Sequence, residues 1–113
     1  MRKHGKRDKN HNLVRGWVES LHGDFFDCAD LGHGKPDCWI SFGRYDTRHY
    51  PVEIKSPGGR LTKDEIMFAN SVNYQIYIVT TIDDVLSLFK GDPTKLRTVI
   101  KAVAAYAKSV DKK

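Results

Sequence analysis

Asp37 is separated by fifteen residues from Glu53-Ile54-Lys55, so two carboxylates and an ammonium are the groups with which this chain could do chemistry. Phosphodiester hydrolysis needs a divalent cation to offset charge in a pentacoordinate transition state and to lower the pKa of the attacking water. Mg²⁺ or Mn²⁺ takes carboxylate oxygens and keeps several waters. Asp37 and Glu53 would supply those oxygens, with the Ile54 carbonyl as a third ligand. Lys55 would orient or help deprotonate the water, and its charge would stabilise the developing oxyanions. The competing reading is an ordinary cross-strand ion pair on an exposed sheet face, worth no more than about 1 kcal/mol.

Strand parity favours the chemical reading. In an extended segment Val52 and Ile54 share one face while Glu53 and Lys55 share the other. A hairpin turning near Asp46 sets Asp37 across from Lys55 or Glu53, where facing Cβ atoms lie about 5 Å apart. Gly32-His33-Gly34-Lys35-Pro36 makes a loop before Asp37, and Ser56-Pro57-Gly58-Gly59 makes a turn after Lys55.

The elements around these residues follow from periodicity. Leu13, Val14, Trp17, Val18 and Leu21 recur at helical spacing, giving a first helix from about Asn10 to His22, closed by Gly23. Strands are expected over residues 24–31, 37–42, 50–55 and 75–80, the last of them central in the sheet. Thr62-Lys63-Asp64-Glu65 has the form of a capping box opening a helix to about Val72. Thr81 caps a third helix, Ile82 to Lys90, whose Asp83 and Asp84 suit its dipole. Pro93 begins a fourth, residues 93–110, with Leu96, Val99, Ile100, Val103 and Tyr106 on one face. That face either covers the sheet or forms a dimer seam. The order α-β-β-β-α-β-α with an extra C-terminal helix is a mixed α/β fold.

With 113 residues, 40% of them hydrophobic and 29% charged, the chain fits one globular domain over residues 10–113. The longest apolar runs fall far short of a membrane span, and no apolar stretch follows the basic start as in a signal peptide. Two cysteines suit buried reduced thiols and an intracellular protein. The net charge of +5 is uneven. Arg2, Lys3, Lys6, Arg7 and Lys9 against Asp8 give residues 1–9 a charge of +4, a flexible basic arm suited to DNA phosphates.

Gly32 to Ile40, Pro51-Val52-Glu53-Ile54-Lys55-Ser56-Pro57 and Leu61-Thr62-Lys63-Asp64-Glu65 together resemble the virus-type replication-repair nuclease (VRR-NUC) domain of the PD-(D/E)xK superfamily. Small phage-type members show G-x-G-x-P-D, then (V/L)-E-(V/I)-K, then L-T-x-(D/E). The likeness covers roughly residues 7–89. It implies a restriction-endonuclease-like core and Mg²⁺- or Mn²⁺-dependent cleavage of DNA, with a preference for branched or junction structures. It also implies homodimers, and Asp37, Glu53 and Lys55 as the motif residues. Relatives in the wider superfamily often carry an acid in the first helix. Here Glu19 falls nearly opposite the apolar face, so His11 or Asn10 would take that acid's place.

Other residues carry lesser claims. Gly32 and Gly34 would let a phosphate backbone approach or simply form a tight loop, and His33 would stand behind Asp37. Lys35, Arg60 and Lys63 would add phosphate contacts. Glu65 is explained by its capping box, and Trp39 by core packing. Two rival functions remain. A non-catalytic nucleic-acid-binding module has no need for two carboxylates facing phosphates. A sequence-specific restriction enzyme would need a base-reading insertion, for which 113 residues leave little room.

Overall fold

Short alternating strands need helices on the faces they leave apolar, and the chain supplies them in turn. The structure is a computed structural model describing residues 10–43 and 48–98. Helix α1 (His11–Ser20) leads into β1 (Asp24–Asp27), a 3₁₀ turn at Ala29–Leu31, β2 (Cys38–Ser41) and β3 (His49–Ile54). Helix α2 (Lys63–Ser71), β4 (Tyr77–Val79), α3 (Ile82–Phe89) and a 3₁₀ turn at Pro93–Lys95 follow. The four strands form one mixed sheet in the order β1-β2-β3-β4. The first two pairings are antiparallel and β3–β4 is parallel, which requires a crossover; α2 lies within it.

The sheet has two different faces. Cys38, Ile40, Val52, Ile54 and Val79 pack against Val14 and Val18 of α1 and Val85 and Leu88 of α3, all fully buried. Each such side chain contributes about 1.5–3 kcal/mol of burial. On the other face α2 covers only the β4 side, through Ala69 and Phe68 against Ile76 and Ile78. The β1–β2 side stays open there: Phe26 is 70% exposed beside Trp39.

Several boundaries differ from the sequence reading. α1 closes through His22, which takes φ 60°, while the Gly23 N–H bonds the Val18 carbonyl. Gly23 is still required, because a Cβ there would meet the Phe42 ring at 2.5 Å. The expected strand over residues 24–31 breaks after Asp27, where the Asp27 carboxylate accepts the Ala29 N–H at 3.0 Å and starts the 3₁₀ turn. β4 is at the end of the sheet order rather than its centre.

The expected helix from Pro93 also fails at its start. Leu96 is extended and buried, and its side chain joins the main core rather than a dimer seam. The Arg97 carbonyl accepts the Ile78 N–H at 2.9 Å and Thr98 bridges Tyr77, so the exposed edge of β4 recruits this segment as backbone partner. The remainder of that helix, residues 99–110, lies outside the described residues, as do the basic arm and the hairpin tip near Asp46. Among the described residues no helix is long and apolar enough to cross a membrane, and Cys28 and Cys38 are free and buried.

Candidate active site

The register of the β2–β3 hairpin decides where the carboxylates go. Cys38 pairs with Val52, so one step further sets Asp37 opposite Glu53, one of the two partners open to it from sequence. Glu53 is flanked on its other side by Ile78 of β4 and lies on the sheet face that α2 covers. Asp37 Oδ2 accepts the Ile54 N–H at 2.7 Å, which ties the loop end to the neighbouring strand. The Asp37 carbonyl also accepts the Cys28 N–H at 2.8 Å.

Glu53 is 1% exposed, and apart from the facing Asp37 carboxyl neither of its carboxylate oxygens has a hydrogen-bond partner among the described residues. Burial pushes its pKa up to about 10, and the facing Asp37 carboxyl adds to the rise. Asp37 is raised as well, chiefly by burial; a hydrogen bond with Glu53 and then the bond from Ile54 work against that. Two neighbouring carboxyls in a dry site cannot both ionise cheaply, so without a cation they hold a proton between them.

Lys55 does not make the ordinary cross-strand ion pair. Its Nζ lies 3.0 Å from Glu65 Oε1 and 3.1 Å from Oε2. Glu65 is also the third residue of the capping box: its Oε1 accepts the Thr62 N–H at 2.8 Å while Thr62 Oγ1 accepts the Glu65 N–H at 3.1 Å. The capping reading of Glu65 therefore holds, but it omitted the contact with Lys55. The available signal was distance along the chain, since a ten-residue turn returns the first turn of a helix to the end of the strand before it.

The glycine loop serves α2 rather than a phosphate. Gly34 has φ 79°, and a Cβ there would stand 2.0 Å from the Asp64 carbonyl oxygen. The missing side chain lets the start of α2 sit against the loop. His33 takes φ 56° and is exposed, with no hydrogen bond to Asp37 among the described residues, so it does not stand behind the carboxylate. Lys35 Nζ lies over the Phe68 ring at 5.9 Å, and Arg60 and Lys63 are exposed near Lys55 and at the start of α2. Arg2, Lys3, Lys6, Arg7 and Lys9 fall outside the described residues. Trp39 is half-buried against Tyr74, ring centroids 5.3 Å apart, at the border of the open sheet face rather than inside a core.

The two candidates for the helix-acid position separate. Asn10 is at the N-cap of α1 without capping it; its Nδ2 donates to the Thr80 carbonyl at 2.7 Å and the Lys55 carbonyl at 3.3 Å. It therefore ties α1 to the ends of β3 and β4 beside the site. His11 faces the other way. Its Nε2 is 3.5 Å from Asp27 Oδ2 and its ring meets Phe25 edge-on. Asp27 pairs with Cys38, which places it on the α1 face, away from Glu53. Periodicity put both residues near the core side of the helix but could not tell which strand each would meet.

The buried Glu53 oxygens, faced by the Asp37 carboxyl, suit a hard divalent cation, so the two residues fit as ligands. Among the described residues no group of three His, Cys, Asp or Glu side chains converges. Backbone oxygen, such as that of Ile54, and water would have to complete the coordination. Comparison of the chain with protein-family models, with curated proteins and with solved structures found no match to any of them.

Proposed function

We propose that this chain is a metal-dependent endonuclease that hydrolyses DNA phosphodiester bonds, with Asp37, Glu53 and Lys55 as catalytic residues on a restriction-endonuclease-like PD-(D/E)xK core. The observation that carries the reading is Glu53: a fully buried carboxyl facing a second carboxyl, with no other partner for its oxygens among the described residues. Packing alone does not select such a pair, because burying two carboxyls costs stability whether they stay ionised or must take up a proton to fold. A site for a cation does select it. The resemblance to the VRR-NUC domain points the same way and is the ground for proposing branched or junction DNA as substrate.

Asp37 and Glu53, with the Ile54 carbonyl, would hold Mg²⁺ or Mn²⁺, which supplies Lewis-acid stabilisation and a more acidic water. The Ile54 N–H fixes the Asp37 carboxylate in place. Lys55 offers an ammonium held by Glu65 on the same strand face as Glu53, positioned to steer a nucleophilic water and to stabilise charge on phosphoryl oxygens. Lys35, Arg60 and Lys63 surround this end of the sheet with cations for the strand backbone. A C2 homodimer would present two such sites to the two scissile strands of a junction.

The experiment is cleavage of labelled four-way junction, flap, duplex and single-stranded DNA with Mg²⁺ or Mn²⁺, against a chelator control. The wild type should cut at least one of these. Asp37→Ala, Glu53→Ala and Lys55→Ala should not, while keeping a native circular dichroism spectrum. Wild-type turnover in Glu53→Ala would remove the proposal, and DNA binding with no cleavage under any metal would favour a non-catalytic binding module.

A further inference from the structure

Beyond Lys55 the sheet edge opens into a cavity of ≈ 540 Å³ that the catalytic proposal leaves unused. Its polar lining includes Lys55, Arg60 and Arg97, its apolar wall is Leu61, Ile66 and Ile78, and among the described residues no carboxylate lines it. Arg60 enters on the turn after β3. Arg97 arrives from the segment that pairs with β4, because its carbonyl accepts the Ile78 N–H. Residues 37 positions apart thus present two guanidinium groups to one hollow.

Of the three cations Lys55 is already paired with Glu65. Arg97 has only a 3.4 Å contact from Nη2 to Thr80 Oγ1, and neither arginine has a carboxylate at ion-pair distance among the described residues. Guanidinium groups around a hollow with no carboxylate partner among the described residues suit an anion. Each offers five N–H donors in a fixed fork, which a phosphate, with more acceptor oxygens than a carboxylate, satisfies more fully. The apolar wall adds a surface for the uncharged body of the ligand.

We infer that this cavity is a nucleotide subsite, in which Arg60 and Arg97 hold the phosphate next to the scissile one and Leu61, Ile66 and Ile78 meet its sugar and base. The identity of the ligand rests on the nuclease reading; the anion chemistry of the cavity does not. Lys55 stands between the two positions, lining the cavity while sharing a strand face with Glu53. A strand threaded past Lys55 therefore places consecutive phosphates at the carboxylate pair and at the arginines.

The test uses the full chain in chelator, so that binding is read apart from cleavage. Thymidine 5′-monophosphate, inorganic phosphate and thymidine are titrated by NMR, and a labelled single-stranded oligonucleotide by anisotropy over a salt series. The monophosphate should bind more tightly than inorganic phosphate, and thymidine should not bind. Arg60→Ala and Arg97→Ala should each weaken the monophosphate by about ten-fold, the loss expected for a charge-assisted hydrogen bond. Each should also lower the oligonucleotide salt slope by about 0.7. Arg15→Ala, on the opposite sheet face, should do neither. Oligonucleotide binding indifferent to both arginines, or inorganic phosphate binding as tightly as the monophosphate, would overturn the subsite while leaving the nuclease reading intact. Arginine-dependent nucleotide binding by a wild type that cleaves nothing with Mg²⁺ or Mn²⁺ would uphold the subsite and remove the nuclease.

Discussion

Replacing Glu53 by glutamine keeps the shape of the side chain and removes its titration, so its effect on stability must depend on pH. Glu53 moves from 4.5 to about 10 on folding. A carboxyl with a raised folded pKa contributes stability that is present below its unfolded value and lost as pH climbs toward its folded value. At pH 7.5 the group is ionised in the unfolded chain and protonated in the fold. The loss relative to pH 4.5 has a ceiling of about 4 kcal/mol, at about 1.36 kcal/mol per pH unit. Relaxation around the coupled pair lowers the realised figure, and about 1–3 kcal/mol is expected. Glutamine escapes this loss and can donate its amide N–H to the facing Asp37. Urea unfolding in chelator should show Glu53→Gln more stable than wild type at pH 7.5, with the gap closing to under about 1 kcal/mol at pH 5. Adding Mn²⁺ at pH 7.5 should then raise the wild-type midpoint and leave the variant unmoved, because binding to the folded state alone stabilises it. Parallel pH profiles for the two proteins would refute the buried carboxyl pair.

Three further changes probe the parts around it. Glu65→Gln keeps an oxygen for the Thr62 cap but leaves Lys55 without a charged partner, so unfolding should shift by no more than about 1 kcal/mol while metal-dependent cleavage falls at least ten-fold; unchanged cleavage would make Glu65 a cap alone. Gly34→Ala places a methyl group against the Asp64 carbonyl at φ 79° and should cost at least about 2 kcal/mol, read as a fall in Tm, with near-wild-type stability showing that the loop can move away from α2. Deleting residues 2–9 removes five cations and should reduce the duplex-binding salt slope by up to about 4; an unchanged slope would make the arm a solubility tail.

Local signals and long-range ones were not equally legible in the sequence. The capping box at Thr62 and the cap at Thr81 are written in nearby residues, and both form; at Thr81 the Asp84 side chain completes a box as well. Hairpin parity likewise needs only a period of two; it left Asp37 facing Glu53 or Lys55, and the register of β2 and β3 selects Glu53. What failed depended on partners elsewhere. Nothing in residues 93–98 says that the free edge of β4 will take Thr98 as a bridge in place of a helix. The same apolar spacing that suggests a helical stripe also lets a single extended Leu96 drop into the core. His11 and Asn10 are adjacent in sequence and diverge only because Asp27 and the ends of β3 and β4 lie on different sides of the helix start. Arg97 acquired its place beside Arg60 through the same edge pairing, which is why the basic cavity could not be anticipated.

The stability and the chemistry of the site share one set of contacts. Gly34 admits the backbone of Asp64, so α2 starts against the loop that leads into Asp37. Thr62 and Glu65 close the cap of that helix, and Glu65 in turn holds the Lys55 ammonium. Asn10 bonds the Lys55 carbonyl from the far side, and Ile54 bonds Asp37. The strand carrying Glu53 and Lys55 is thus fixed at both backbone and side chain, from two helices and the neighbouring strand. This rigidity is what an uncompensated carboxyl pair requires, since a looser frame would let the charges separate or admit water and relieve their repulsion. A cation entering between Asp37 and Glu53 meets ligands already converged, so little ordering remains to be done on binding. The same frame means that Glu65 and Gly34, neither of which hydrogen-bonds the carboxylates, set where the ammonium stands relative to them. Substitutions along the path from the loop to the cap should therefore alter turnover through the position of Lys55; because the Glu65 charge raises both carboxyl pKa values and Lys55 lowers them, Glu65→Gln should also lower the pH at which the pair gives up its proton.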